Sequence, residues 1–190
     1  TCALPILGST TAIAVENTHN FGGGTVQPIS EIAALRKGAD DLGVALHLDG
    51  ARIWNAHVAS GVAFNEYGKY FDTISVCLSK GLGAPVGSVM LSTKERVAKA
   101  RVWRKRYGAG MRQIGLLAAG AHYALDNNID RLSEDHRRAQ ELAQAIAAVD
   151  SSLIDSTTVH TNIVGLDLAA LPITAAELAA RCKNAGLWIS

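Results

Sequence analysis

Two apolar stretches of the sequence are each followed by a residue that could do chemistry. Asp49 follows the stretch Val44–Leu48, and Lys80 comes just after Thr73–Leu78. If both stretches are strands of an open α/β sheet, the carboxylate and the amine lie at its carboxyl edge, where such sheets bind ligands. A lysine beside a cation or in an apolar pocket loses its proton more easily and can attack a carbonyl to form an imine.

The neighbours of these two residues fit the same chemistry. Gly81 and Gly83 follow Lys80, and glycine allows a large planar ligand to approach the backbone closely. Arg52 comes three residues after Asp49 and could hold a phosphate or carboxylate through two parallel hydrogen bonds. An imine-forming lysine, an acidic partner for a pyridine nitrogen and an arginine are the groups that a site for pyridoxal 5′-phosphate (PLP) needs.

Simpler interpretations of the same residues stay open at this point. Asp49 could cap the helix that follows it, since Asp is a preferred N-cap residue. Lys80 could belong to an ordinary solvated loop. The Gly81-x-Gly83 pattern does not fit a dinucleotide-binding fingerprint, because the spacing is wrong and Pro85 interrupts it. A nucleotide-binding α/β module is therefore disfavoured.

The elements that must position these residues alternate between strand-like and helix-like segments. The predicted strands are Thr11–Val15, Val44–Leu48, Thr73–Leu78, Val86–Leu91, Asn162–Leu168 and Leu187–Ile189. The predicted helices are Glu31–Asp41, Arg52–Ala59, Lys94–Tyr107, Met111–Asp126, Ile129–Val149 and Thr174–Lys183. Ser30 is expected to cap the first helix and Gly43 to end it, and the pattern Thr174-x-x-Glu177 predicts a capping box at the start of the last one. The alternation favours an α/β fold with a mostly parallel sheet.

The order of these elements predicts how the chain is divided. Residues 8–128 are predicted to form part of a large ligand-binding domain, 129–150 a bridging helix, and 151–190 the incomplete start of a smaller C-terminal domain. Residues 1–7 are predicted to be non-native, because Ala3-Leu4-Pro5-Ile6 matches the translation of a common sequencing adapter. We therefore expect a gene fragment.

The composition limits the classes of partner. Apolar residues make up 48% of the 190 residues, which favours a packed core over disorder. The net charge of +1 gives no reason to expect nucleic acid, and no apolar run is long enough to cross a bilayer. Basic residues of the segment 94–106 alternate with apolar ones, as on the solvated face of an amphipathic helix. Three widely spaced cysteines, no zinc-like cluster and no export signal favour a cytoplasmic protein without a metal.

Five blocks of the sequence together resemble the threonine aldolases, a family of PLP-dependent enzymes. The blocks are Glu16–Asn20, His47–Arg52, Cys77–Ser88, Gly110–Gln113 and Arg131–His136. Their spacing also matches the family, and any one of them alone would be a weak signal. The resemblance implies an aspartate aminotransferase-like fold, with part of the large doubly wound domain and the start of the small C-terminal domain.

The resemblance also implies a role for five residues. Lys80 matches the lysine that holds PLP as an imine, and Asp49 matches the aspartate that pairs with the pyridine nitrogen. Arg52 matches an arginine near the 3-oxygen of the cofactor and the substrate carboxylate. Lys105 and Arg112 match basic residues near the cofactor phosphate, some of which reach in from a neighbouring subunit.

The implied reaction is retro-aldol cleavage of threonine or allo-threonine to glycine and an aldehyde. PLP supplies the electron sink, while the protein supplies orientation and charge. Phenylserine aldolase, another β-eliminating lyase of the same fold and an inactive fragment stay open as alternatives. The resemblance further implies a homotetramer built of dimers, with an amino acid as the small-molecule substrate.

The resemblance does not settle which residue is the base. The family's histidine maps onto Ile6, within the stretch expected to be non-native. His19 is a candidate for contact with substrate or cofactor, and otherwise it is expected to structure its loop. His47 shares a strand face with Asp49 and is expected to hydrogen-bond within the domain instead. The family's phosphate-binding loop is expected upstream, and its late carboxylate-binding arginine after Ser190.

Overall fold

The sheet that carries the two predicted functional residues has four strands in the order β1-β2-β3-β4. In this computed structural model, which describes residues 9–189, they are β1 (Ala12–Glu16), β2 (Ala45–Gly50), β3 (Thr73–Cys77) and β4 (Ser88–Ser92). β1 pairs with β2, and β2 with β3, in parallel, whereas β4 runs antiparallel to β3. The predicted α/β fold with a mostly parallel sheet is confirmed.

Helices connect and flank these strands. They are α1 (Ile29–Asp41), α2 (Ile53–Ser60), α3 (Phe64–Gly68), α4 (Lys94–Arg106), α5 (Gly115–Asn127), α6 (Leu132–Val149) and α7 (Ala175–Asn184), with a 3₁₀ turn at Ser156–Thr158. The predicted capping box is present at the start of α7, where Thr174 and Glu177 bond to each other's backbone amides.

Helix α1 begins differently from the prediction. Its N-cap is Pro28, and Ser30 lies inside the first turn and does not cap it. The amides of Glu31 and Ile32 donate to the Pro28 carbonyl at 3.1 and 3.2 Å. Proline suits this position because it has no amide hydrogen for the helix to satisfy. The predicted end is confirmed, since Gly43 has φ of +65°, which glycine adopts at little cost.

Two other helices also differ from the sequence prediction. The helix predicted for Met111–Asp126 begins only at Gly115, because Gln113 has φ of +51°, outside the range of a right-handed helix. Helix α3 was not predicted. With five residues it is too short for a helical apolar period to show in the sequence.

The strands predicted at Asn162–Leu168 and Leu187–Ile189 are wrong. Neither segment pairs with another strand among residues 9–189. A strand needs the backbone groups of a neighbouring strand to satisfy its own. Within the first segment, the Asp167 amide instead donates to the Leu153 carbonyl at 2.8 Å, which is a loop contact.

The core lies on one face of the sheet because apolar residues alternate along the strands. Leu48 and Val76 from adjacent strands pack with Ile32 of α1, Ile53 of α2 and Tyr67 of α3. A second apolar cluster lies beyond the end of β3 and is formed by Leu78, Leu82, Ala84, Ala121 and Ala124. This second cluster joins the segment after β3 to helix α5.

The division of the chain into 8–128, 129–150 and 151–190 stays a prediction, although α6 occupies most of the segment predicted to bridge the domains. The stretch 1–7 lies outside the described residues. None of the helices in the described part of the chain combines the length and apolar character needed to span a membrane.

Candidate cofactor site at the carboxyl edge of the sheet

Asp49 lies near the carboxyl end of β2, between residues of both neighbouring strands. In the parallel ladders it pairs with Glu16 of β1 on one side and with Ser75 of β3 on the other. Paired residues point to the same face, so the three polar side chains share the face opposite the apolar core. Asp49 is exposed there, which leaves its carboxylate accessible to a ligand.

The alternative role of Asp49 as a helix cap is not what the structure shows. The N-cap of α2 is Arg52, and that helix has no side-chain cap. One Asp49 carboxylate oxygen accepts a hydrogen bond from the Ala51 amide at 3.1 Å, which forms a local turn. This turn fixes the carboxylate at the strand end and places the half-buried Arg52 just beyond it.

Lys80 lies in a tight turn that follows β3 and is exposed. The Gly83 amide donates to the Lys80 carbonyl at 2.8 Å, and the Ala84 amide donates to the Leu78 carbonyl at 2.9 Å. Leu82, which is 1% exposed, anchors the turn in the second apolar cluster. The backbone of this turn is therefore fixed by packing and hydrogen bonds, while the side chain of Lys80 is exposed to solvent.

The thiol of Cys77, the last residue of β3, has polar neighbours that lower its pKa. Burial raises the pKa of the Cys77 thiol, but hydrogen bonds with Ser79 and Ser88 and the nearby Lys80 ammonium bring it below its usual value. The Cys77 sulfur lies 3.4 Å from the Ser79 hydroxyl. The indole of Trp54 donates to the Cys77 carbonyl at 2.8 Å and so ties α2 to the end of β3.

His19 lies in the loop that follows β1. Its backbone pairs with Thr25, and its imidazole Nε2 lies 3.7 Å from the Glu16 carboxylate. His19 thus lies beside Glu16, the residue that pairs with Asp49 in the β1–β2 ladder. The Asn17 amide also donates to the Asp49 carbonyl at 3.0 Å. The loop is thereby attached to the strand end that carries Asp49.

His47 makes the hydrogen bond expected of it. Its Nδ1 lies 2.7 Å from the Thr73 hydroxyl on the neighbouring strand. The bond crosses the β2–β3 ladder, where these two residues are partners. The interpretation of His47 as a residue that hydrogen-bonds within the domain is confirmed.

Lys105 and Arg112 lie on other elements of the chain, α4 and the loop before α5. Lys105 is in the last turn of α4, and its side chain passes over Gly110, where an added Cβ would lie 3.1 Å from the lysine Cδ. Arg112 is exposed in the loop before α5. In the described part of the chain, no hydrogen bond joins either residue to Asp49 or Lys80. The role of Lys105 and Arg112 near the cofactor phosphate stays a prediction.

Sequence reasoning missed several residues around the site. Glu16 and Ser75 were not singled out as neighbours of Asp49, although the period-two alternation of strands could have placed Glu16 on a common face. Asn128 and Arg131 bond to the backbone of the Lys80 turn, and although Arg131 begins one of the five family blocks, nothing local in the sequence indicates either contact. Their contact depends on tertiary packing.

Comparison with solved structures identifies the fold of this chain. A PLP-bound structure from Clostridium difficile superposes with a TM-score of 0.66 at 18% identity, over 88% of this chain and 46% of the other. A threonine aldolase from Leishmania major gives a TM-score of 0.61 at 21% identity, over 73% and 41%. Identities this low show the fold alone. The fold is the predicted aspartate aminotransferase-like fold of PLP-dependent enzymes.

The chain belongs to the beta-eliminating lyase family, whose sequence pattern matches residues 8–169. It is 39% identical over 182 residues to low-specificity L-threonine aldolase 1 of Arabidopsis thaliana, covering 95% of this chain and 51% of the relative. It is 42% identical over 164 residues to the low-specificity L-threonine aldolase of Escherichia coli K12, covering 85% and 48%. The resemblance to threonine aldolases is confirmed, and the chain spans about half the length of these curated relatives.

Proposed function

We propose that the protein carrying this sequence is a PLP-dependent aldolase that cleaves threonine and allo-threonine to glycine and an aldehyde. The observation that supports it most is the placement of Asp49 near the carboxyl end of β2 and of Lys80 in the turn directly after β3, the adjacent parallel strand. The similarity to enzymes named low-specificity L-threonine aldolases supports the same activity and the same amino-acid substrates.

The residues at this edge fit PLP by their chemistry. An exposed amine and an exposed carboxylate are both available at the strand ends, and the half-buried guanidinium of Arg52 follows the carboxylate. When bound, the cofactor supplies a conjugated ring that accepts the electron pair left by cleavage of the Cα–Cβ bond. The residues of the chain bind this ring and set its charge.

Each residue has a separate role in the proposed site. Lys80 would hold the cofactor covalently through its side-chain amine. Asp49 keeps the pyridine nitrogen protonated, and Arg52 binds the substrate carboxylate and the cofactor's 3-oxygen. Lys105 and Arg112 bind the cofactor phosphate, and in the proposed tetramer built of dimers some of these contacts come from a neighbouring subunit. His19, held by Glu16, contacts substrate.

The proposed location of the protein is the cytoplasm. The supporting observation is compositional, since three widely spaced cysteines do not form a disulfide framework. Cys77 and Cys182 are both free in the structure.

Cleavage of amino acids tests the proposed activity. We expect the protein, purified with PLP, to release glycine and acetaldehyde from threonine, and Lys80→Ala to release neither. Phenylserine, which would give benzaldehyde, is assayed beside it. Cleavage of phenylserine with no cleavage of threonine or allo-threonine would replace the proposed substrate with the alternative one. Release of glycine from threonine that is unchanged in Lys80→Ala would overturn the proposed site.

A further inference from the structure

The turn that carries Lys80 is held by the junction between α5 and α6. The side-chain amide of Asn128 donates to the Leu82 carbonyl at 2.8 Å. The guanidinium of Arg131 donates to the Gly81 carbonyl at 3.2 Å. Both bonds are tertiary contacts, because they join residues 46 and 50 positions apart. Both bonds are made to backbone carbonyls of the residues that directly follow Lys80.

The same junction packs closely under the turn. Leu132 is fully buried, and a Cβ added to Gly81 would lie 3.1 Å from its Cδ2 atom. A Cβ added to Gly83 would lie 3.4 Å from the Asn128 amide nitrogen. The backbone of the turn therefore has little freedom to move towards α6.

Two other carbonyls of the turn have partners that do not come from the junction. Those of Leu78 and Lys80 accept from amides inside the turn itself. The carbonyls of Gly81 and Leu82 bond to side chains of the junction instead. Loss of a donor leaves a carbonyl without its protein partner, and this favours a rearranged backbone.

We propose that Asn128 and Arg131 are positioning residues that hold Lys80 in place through the peptide groups of Leu82 and Gly81. Neither touches cofactor or substrate in this role. They fix the direction in which the lysine leaves the backbone and so keep its amine at the carboxyl edge of the sheet. The chemical consequence of this positioning rests on the proposed function.

Amide hydrogen exchange tests the positioning without any cofactor. Asn128→Asp keeps the side-chain shape but has no N–H donor, and Arg131→Ala removes the guanidinium. We expect exchange at the Gly83 and Ala84 amides to become about twofold to tenfold faster, as loss of one hydrogen bond predicts, while the amides of β2 exchange as before. The rescue variant Arg131→Lys keeps a donor and should restore slow exchange.

Two neighbouring residues provide matched controls. The side-chain amide of Asn127 donates to the Tyr123 carbonyl within α5, and the guanidinium of Arg138 donates to the Glu134 carboxylate within α6. Asn127→Asp and Arg138→Ala should leave exchange in the turn at the wild-type rate. Wild-type exchange in Asn128→Asp, in Arg131→Ala and in their double variant would overturn the proposal.

A second readout separates positioning of Lys80 from general stability. With PLP added, the imine absorbance is titrated against pH. We expect Asn128→Asp and Arg131→Ala to shift its midpoint and to weaken PLP binding, and Arg131→Lys to behave like the wild type. If the wild type forms the imine and the variants match it in midpoint and affinity, positioning is refuted while the proposed function stands. If the wild type forms no imine, the proposed function fails. Amide hydrogen exchange alone then decides whether the junction holds the turn.

Discussion

Glu16 lies directly opposite Asp49 in the β1–β2 ladder, with both carboxylates on the same face of the sheet. Their hydrogen bonds differ. Glu16 accepts from the Asn20 amide at 3.1 Å, and its second oxygen lies 3.7 Å from His19. Asp49 accepts from the Ala51 amide, two residues further along the chain. Glu16 therefore bonds to the loop after β1 whereas Asp49 does not, and this difference supports the proposed role of Asp49 as the partner of the pyridine nitrogen.

This difference predicts unequal effects when either charge is removed. Asp49→Asn should weaken PLP binding by about tenfold to a hundredfold, since a hydrogen bond to a charged group contributes about 1.5–3 kcal/mol. Glu16→Gln should change the affinity by less than about threefold, because its bonds are local and the amide oxygen can still accept one. Titration of PLP binding by absorbance measures both. Equal losses in the two variants would contradict the assignment of the pyridine partner to Asp49.

The turn after Lys80 should depend on glycine at one position in particular. Gly83 has φ of +81°, where a Cβ is strained, so Gly83→Ala should lower the free energy of unfolding by about 1–2 kcal/mol. The same substitution at Gly38, which lies inside α1 with no atom near an added Cβ, should raise the free energy of unfolding by about 0.5–1 kcal/mol. Urea denaturation compares the two, and a shift of the same sign in both would contradict this account.

The contact between α2 and α6 should make stability depend on pH. His136 lies 3.1 Å from the amide of Asn55, which is 2% exposed, and burial lowers the pKa of His136 despite the opposing charge of Asp135. The unfolded chain therefore binds a proton at higher pH than the folded chain. The stability from this group is present above about pH 6.5 and is lost as the pH falls below that value.

Replacement of the imidazole tests this dependence. His136→Gln keeps a hydrogen-bonding side chain but cannot titrate, so its free energy of unfolding should fall less steeply than the wild type's between about pH 7 and 5. His122→Gln, at an exposed histidine on α5, is the control and should keep the wild-type slope. Identical slopes for His136→Gln and the wild type would show that another group causes the loss.

The sequence predicts those parts of the fold and site that depend on local order. Apolar runs located β2 and β3, and the residues that follow them could then be placed at one sheet edge because parallel strands end together. The glycine at position 43 ended α1 as expected, since a left-handed residue is a local requirement. The capping box of α7 is also local.

Features that depend on distant partners could not be predicted in this way. The segment Asn162–Leu168 has strand-like composition, but strand formation requires a neighbour that its own residues do not specify. The bond from Asn128 to Leu82 arises only when α5 packs beside the turn. Lys105 and Arg112 have the charge for a phosphate site, but charge alone does not determine what they face.

Covalent trapping of PLP tests the central claim most directly. The wild-type chain with PLP should develop an imine absorbance band at about 420 nm, and borohydride reduction should attach the cofactor covalently to the peptide that contains Lys80. Lys69→Ala, at an exposed lysine paired with Glu66, should give the same band and label. Lys80→Ala should give neither. A band and label in Lys80→Ala equal to those of the wild type, or no imine in the wild type, would contradict the assignment of Lys80 as the cofactor lysine of this chain.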